Sequence, residues 1–380
     1  MKKIFLALAA LATLAACTKS EVEYVSAGNE ITFAPVAKNI TKSMITTSAF
    51  PTSESFNVWA WYNQIEKGTE VSNWDTSTDT EYFSEGTFVY REGTDWGGQT
   101  PYYWPKVGSL LFAGYYPTSV ASKVDYTFDA TANKMVFTNI GQGTVASTGT
   151  TEDLMYFNMT ASSYNNGPVA VVFKHALSWI TVNLSRPDEN PVDSTTGKVS
   201  EYPKIKVNSV TFTNVNNQGT GTVTGTDGTI EWEVNGTAAP TVVTPAAGVV
   251  LSKTPAKQAE PLFIPQEFAV DNEATADINE TMELQVNYTI YSSAEEYFTE
   301  THTTKLNGML GNKLKTDDNG NVITDSEGNP EYVETDINIK LNSWEPAKRY
   351  IYNISIGIEE ILIEPTVETW TPIEINVPVQ

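Results

Sequence analysis

The chain is nearly free of cysteine: Cys17 is the single one in 380 residues. An intrachain disulfide is excluded, so the fold must hold through its apolar core even where disulfides are permitted. Histidine is almost as scarce, with His175 and His302 alone. Neither has a cysteine or a suitably spaced histidine partner, which excludes the usual zinc motifs. Basic residues are few, 23 against 46 acidic ones, for a net charge of −23. A surface of that sign repels nucleic acid and anionic bilayers. After the first residues no apolar run approaches the ~20 residues that a membrane-spanning helix needs. No long stretch carries a 3.6-residue apolar stripe, so long amphipathic helices are not expected.

Motifs of chemistry fail on their context. Gly141-Gln142-Gly143-Thr144-Val145-Ala146 matches a loose dinucleotide fingerprint, but Ser147-Thr148-Gly149-Thr150 follows where a helix should start. Asp317, Asn319, Asn321 and Glu327 hint at a calcium loop, yet Val322 stands where glycine is required, and a hairpin turn fits better. Asp153, His175 and Ser178 can be drawn as a triad, but Ser178 lacks the glycine pattern of a nucleophile elbow. No enzyme activity, metal or cofactor is expected.

What the sequence does have begins at its start. Lys2 and Lys3 precede the apolar run Ile4 to Ala12, then Leu14-Ala15-Ala16-Cys17. Residues 1–16 read as a secretory signal. The last four residues resemble a bacterial lipobox, which implies cleavage before Cys17 and palmitate-type lipid on it. Each buried CH₂ contributes about 0.8 kcal/mol, and two chains anchor a protein stably. Thr18-Lys19-Ser20-Glu21-Val22-Glu23 is similar to the acidic export tag of Bacteroidetes lipoproteins. Together these imply an outer-membrane, cell-surface lipoprotein.

The body alternates with period two. Phe56, Val58, Ala60 and Tyr62 alternate with Asn57, Trp59 and Trp61, and Val169, Val171 and Phe173 share one face. Ile180-Val182-Leu184, Leu284-Val286-Tyr288-Ile290 and Tyr350-Tyr352-Ile354-Ile356 follow the same rule. Turn clusters such as Asn165-Asn166-Gly167-Pro168 separate them. The fold class is all-β, built as sandwiches. A first strand is predicted over Glu30 to Val36, with Ile31, Phe33 and Pro35 on one side. Pro101-Tyr102-Tyr103-Trp104-Pro105 is an aromatic corner set by two prolines. Gly167-Pro168 is taken as the domain boundary, the two strands after it being expected to pair with Ile205 to Phe212. Trp74 and Trp96, in a loop-rich stretch, are an expected exposed pair able to stack on a glycan. Asp193-Ser194-Thr195, in a Pro/Asp/Thr-rich connector, resembles the Bacteroidetes O-glycosylation pattern.

These segments together resemble the fimbrillin (FimA/Mfa-like) family of Bacteroidales. The resemblance is carried by the lipobox, Glu30-Ile31-Thr32-Phe33, Tyr102-Tyr103-Trp104-Pro105, Leu111 to Pro117, Asp153-Leu154-Met155-Tyr156, Phe173 to Leu177, Ile264-Pro265-Gln266 and Trp344 to Tyr350. It implies two transthyretin-like β-sandwich domains in tandem, over 43–167 and 168–380, after an N-terminal segment 17–42 that proteolysis removes. It also implies a pilus role, in which the vacated groove takes a strand from the next subunit, making open head-to-tail filaments. The cleavage point maps to Lys42 and Ser43, where the family usually has arginine; an uncut chain fits an anchor or a non-polymerising relative. Ile373, Ile375, Val377 and Val379 alternate in the candidate donor strand, 366–380. An ordinary edge strand is the other reading, which Pro372 and Pro378 suit, though they also block premature self-association. Expected partners are other fimbrillin subunits, the outer membrane through lipid on Cys17, and a host or bacterial surface ligand. The alternative is a surface lipoprotein that binds a glycan or host ligand and never polymerises.

Overall fold

The computed structural model describes residues 29–37, 50–63, 80–91, 95–128, 133–141, 153–162, 167–187, 189–190, 192–225, 228–234, 241–243, 248–267, 282–295, 297–306, 313–314, 332–333, 343–357 and 361–369. Nearly all of them lie in or between strands, as the period-two alternation predicts. Among the described residues a single short 3₁₀ helix, Thr118–Lys123, interrupts the strands.

The first strands are β1 (Thr32–Ala37), β2 (Ser55–Asn63), β3 (Thr80–Tyr90), β4 (Trp96–Gly98) and β5 (Ser109–Tyr116). The hairpin β6 (Val124–Phe128) and β7 (Asn133–Gly141) comes next, then β8 (Met155–Ser162) and β9 (Val169–His175). Seven of these pair in the order β1-β4-β3-β2-β5-β8-β9, and β9 returns to β1, so the sheet closes on itself. Closure removes the free edges that an open sheet exposes. The inside is filled by aromatic rings, Phe33, Phe56, Phe88, Phe112 and Phe157 among them.

β2 is buried on both faces. Phe56 and Val58 point into the closed sheet with its core. On the other face, Trp61 stacks on Tyr126 of β6 at 4.3 Å and Trp59 lies 5.7 Å from the same ring. This explains why β2 is apolar or aromatic at Phe56 and without a break from Val58 to Tyr62. Of its polar residues, Ser55, Asn57 and Asn63, the buried Asn57 donates to the Tyr115 hydroxyl at 2.7 Å while accepting from Thr87 Oγ1 at 2.8 Å.

β10 (Ser178–Ser185), β11 (Lys204–Thr213), β12 (Gln218–Thr224) and β13 (Ile230–Val234) follow. β12 and β13 return to the first half, extending the hairpin to a sheet ordered β13-β12-β7-β6. Val223 and Ile230 thereby join the first core. Beyond them come β14 (Thr241–Val243), β15 (Ala256–Ala259), β16 (Leu262–Phe263), β17 (Gln266–Glu267), β18 (Glu283–Tyr291) and β19 (Tyr297–Lys305). The last are β20 (Lys313–Leu314), β21 (Tyr332–Val333), β22 (Ser343–Trp344), β23 (Lys348–Ile356) and β24 (Ile361–Thr369). One sheet runs β14-β11-β18-β19 and another β15-β10-β23-β24, with β16 also on β10. β17 pairs with β22 and β20 with β21. Ile180, Val182, Leu184, Tyr352 and Ile354 share a second core with Ile205, Val210, Phe212, Leu284 and Val286.

The chain passes from one core to the other through Ala176 and Leu177, both buried in the first core. Ala176 N–H donates to Leu154 O at 2.8 Å, and Ala347 N–H donates to Leu177 O at 3.0 Å. The boundary expected at Gly167-Pro168 is therefore corrected: β9, which follows it, completes the first closed sheet. The expected pairing with Ile205 to Phe212 is corrected too, since β9 bonds to β1 and β8, and β10 to β15, β16 and β23. A boundary sought in polar, Pro- and Gly-rich sequence misses this crossing because two apolar residues make it.

Candidate functional site

With backbone pairing as the expected mode of action, the strand of interest is the first. Ile31, Phe33 and Pro35 alternate inward as the sequence predicts, and all three are buried. β1 lies parallel to β9, from Phe33 opposite Val169 to Ala37 opposite Phe173. On its other side it is antiparallel to β4, with Thr32 opposite Gly97 and Phe33 opposite Trp96. Phe33 fits among four rings, with centroids at 4.8 Å to Phe88, 5.2 Å to Phe112, 5.9 Å to Phe56 and 6.2 Å to Phe157. The first three meet it edge to face, the favoured geometry for aromatic pairs. Burying such a side chain contributes about 1.5–3 kcal/mol.

The aromatic corner of the sequence holds the entry to β1. Ile31 N–H donates to Tyr102 O at 2.8 Å, and Trp104 N–H donates to Asn29 O at 3.0 Å. Trp104 is buried edge-on to Phe112, while Tyr102 stacks on Phe83 at 4.0 Å. Arg91 adds a clasp: its Nη1 lies 2.7 Å from Glu30 Oε1, and its Nη2 donates to Gly98 O. Gly97 makes room for that guanidinium, since a Cβ there would fall 2.4 Å from Arg91 Cζ. The pair is partly exposed, so its contribution is about 0–1 kcal/mol. Sequence reasoning missed Arg91; only its place after a period-two run marked it.

Trp96 is corrected: it is buried in β4, with Tyr90 at 5.0 Å and Phe50 at 5.9 Å from its ring. It walls the groove of β1 and offers no free face to a glycan. Trp74 lies outside the described residues, as do Cys17, Lys42, Ser43, Ile373, Ile375, Val377 and Val379. The expected donor segment overlaps described structure only through Thr369, where β24 pairs antiparallel with the chain's own β23. Asp193 lies in an exposed turn, accepting from Thr195 and Thr196 N–H at 2.7 and 2.9 Å, and these bonds hold its carboxyl below the usual range.

The triad does not assemble. His175 Nδ1 lies 2.8 Å from Asp153 Oδ2, both buried, but the Ser178 hydroxyl donates to the Glu345 carbonyl at 2.8 Å. That hydroxyl is spent on joining β10 to the turn before β23. Among the described residues no group of three His, Cys, Asp or Glu side chains is placed to hold a metal ion.

A closed sheet completed by an N-terminal strand, followed by a second core built from sheets, makes this an all-β protein. The chain belongs to the fimbrillin-like family, whose family model matches residues 41–370. A solved fimbrial protein from Bacteroides vulgatus is similar in structure, with a TM-score of 0.52 at 14% identity over 90% of this chain and 100% of that one. At that identity the likeness concerns the fold alone. A candidate cell adhesion protein from Bacteroides uniformis gives 0.48 at 12%, over 90% and 98%. The tip fimbrial protein Mfa3 of Porphyromonas gingivalis, C-terminally truncated, gives 0.37 at 11%, over 83% and 94%. No curated protein sequence matches the chain.

Proposed function

We propose that this chain is a cell-surface fimbrial subunit, delivered as a lipoprotein on Cys17 and assembled with other subunits by β-strand donation. The observation that carries this reading is the seating of β1. A cut after Lys42 places β1 in the released piece. Its departure opens the ring, leaves one edge of β9 and one of β4 unpaired, and empties a trough lined by Phe56, Phe88, Phe112 and Phe157. An incoming strand repairs all three defects together, through backbone bonds and through side chains at alternate positions. Ile373, Ile375, Val377 and Val379 have the same period-two spacing as Ile31, Phe33 and Pro35, which supports the C-terminal segment as donor. The two cores are the transthyretin-like sandwiches of this reading.

N-terminal sequencing of material shed from the cell surface tests it. A new terminus at Ser43 with SDS-resistant ladders is expected. Deleting Thr371 to Gln380 should abolish the ladders while the monomer still folds. An intact terminus at Cys17 with monomers only would sink polymerisation and leave a ligand-binding surface lipoprotein.

A further inference from the structure

Where the two halves meet, β13 of the first faces β17 and β22 of the second across an open cleft of about 420 Å³ among the described residues. Its volume lies in the range of roughly 300–1,000 Å³ common to small-molecule sites. Trp232 forms one wall and Pro265 and Pro346 stand among the others. The indole is fixed in three ways. Its Nε1–H donates to Ala176 O at 2.9 Å, in the buried crossing between the cores. Its strand partner is Gly221, where an added Cβ would fall 3.1 Å from two atoms of the ring. Gly219 lies within ordinary van der Waals reach of the ring, its Cβ position 3.4 Å from Trp232 Cε3 and 3.0 Å from both Glu233 O and Ile264 Cδ1. The bare backbone of Gly-Thr-Gly in β12 thus lets the ring lie flat and support itself on one side. Gln266 stiffens the opposite wall: it accepts from Asn216 N–H at 3.0 Å and donates to Asn216 O at 3.2 Å. Glu267, Ser343 and Asn216, which carry a carboxylate, a hydroxyl and a carboxamide, are among the residues that line the cleft with the ring.

A held aromatic ring beside a carboxylate, a hydroxyl and an amide matches the two-sided chemistry of a pyranose: an apolar C–H face and a rim of hydroxyls. We infer that this cleft is a saccharide-binding site, with Trp232 as the stacking platform and Glu267 as an acceptor for sugar hydroxyls. Its ligand is an uncharged mono- or disaccharide. Glu267 and Glu345 at the site, within a chain of net charge −23, repel uronic and sialic acids. The inference does not rest on strand donation, since a chain that never polymerises keeps this cleft.

Saturation-transfer NMR on the whole chain, with the methyl glycosides of glucose, galactose, mannose and N-acetylglucosamine, tests it. Transfer to the ring protons of at least one glycoside is expected, and none to glucuronic acid. Trp232→Ala should abolish that transfer. Because Trp232 also packs on the first core, Glu267→Ala at an exposed position gives a second test, with about tenfold weaker binding expected and the melting temperature unchanged. Silence from all four glycosides would overturn the proposal. So would transfer undiminished in both folded variants, or binding of a proline-rich peptide instead, the other ligand that aromatic grooves take.

Discussion

At the scale of single residues, the first half of the molecule depends on one side chain delivered by a segment expected to be removable. Phe33 touches rings from β2, β3, β5 and β8. Phe33→Ala leaves a cavity that those strands cannot fill without giving up their own pairing. A loss of about 3–5 kcal/mol is expected in urea unfolding followed by tryptophan fluorescence. A loss under about 1 kcal/mol would mean that β1 adds little to the closed sheet. Gly97→Ala acts on the clasp instead. A methyl there displaces the flexible Arg91 side chain and loosens Glu30, so overall stability should fall by about 1 kcal/mol or less. The amide of Ile31, bonded to Tyr102 O, should exchange its hydrogen measurably faster. Gly141 is the contrasting case. A Cβ there would fall 1.8 Å from the backbone oxygen of Asn217, so Gly141→Ala must pull β7 and β12 apart. No flexible side chain is available to yield.

At the scale of elements, β1 is held by two backbone ladders and one buried aromatic anchor, none of which a cut after residue 42 breaks. Cleavage at an engineered protease site there should leave the β1 peptide bound. Its release, followed by mass spectrometry after gel filtration, should need denaturant, and Phe33→Ala should release it in milder denaturant. Spontaneous loss from the wild-type chain would show that backbone pairing alone does not hold the strand. Much of this was legible in the sequence. Ile31, Phe33 and Pro35 at alternate positions marked the inward face of β1, and the doubled aromatic pattern of β2 carried the burial of both its faces. The corner at residues 101–105 was legible as a corner but not as the seat of β1, because its bonds run to residues some seventy positions away. Trp96 read as exposed from its loop-rich, glycine-flanked surroundings. Those glycines instead make the narrow strand over which Arg91 lies.

At the scale of the whole molecule, the two cores are joined by buried residues, which the sequence concealed. Ala176-Leu177 has no linker composition, and the return of β12 and β13 to β7 joins segments far apart along the chain. No local signal encodes it. Glycine weakens a strand, and Gly219 and Gly221 have their reason in side chains from outside β12: Ile230 and Trp232 against Gly221, Ile264 and Trp232 against Gly219. The same construction sets how the molecule answers alkali. Burial pushes the phenols of Tyr156 in the first half, and of Tyr288 and Tyr350 in the second, up to about 12. For Tyr288 the neighbouring Glu300 adds to the rise, while the Ile230 N–H bond to Tyr156 and the Glu345 N–H bond to Tyr350 oppose it in part. In the unfolded chain a phenol ionises near 10. The raised values mean the folded state holds these protons more tightly than the unfolded one. Their contribution is complete below about pH 10, and stability falls as pH rises from there through about 12. The urea midpoint should therefore be flat across neutral and mildly alkaline pH and drop steeply above about 10. Phenolate absorbance in the native chain should lag behind that in denaturant over the same window. Because each half carries such phenols and the crossing between them is packed, both should be lost in one transition. Separate alkaline steps for the two halves, or native phenols titrating like free tyrosine, would show that the joint at Ala176-Leu177 does not couple the cores.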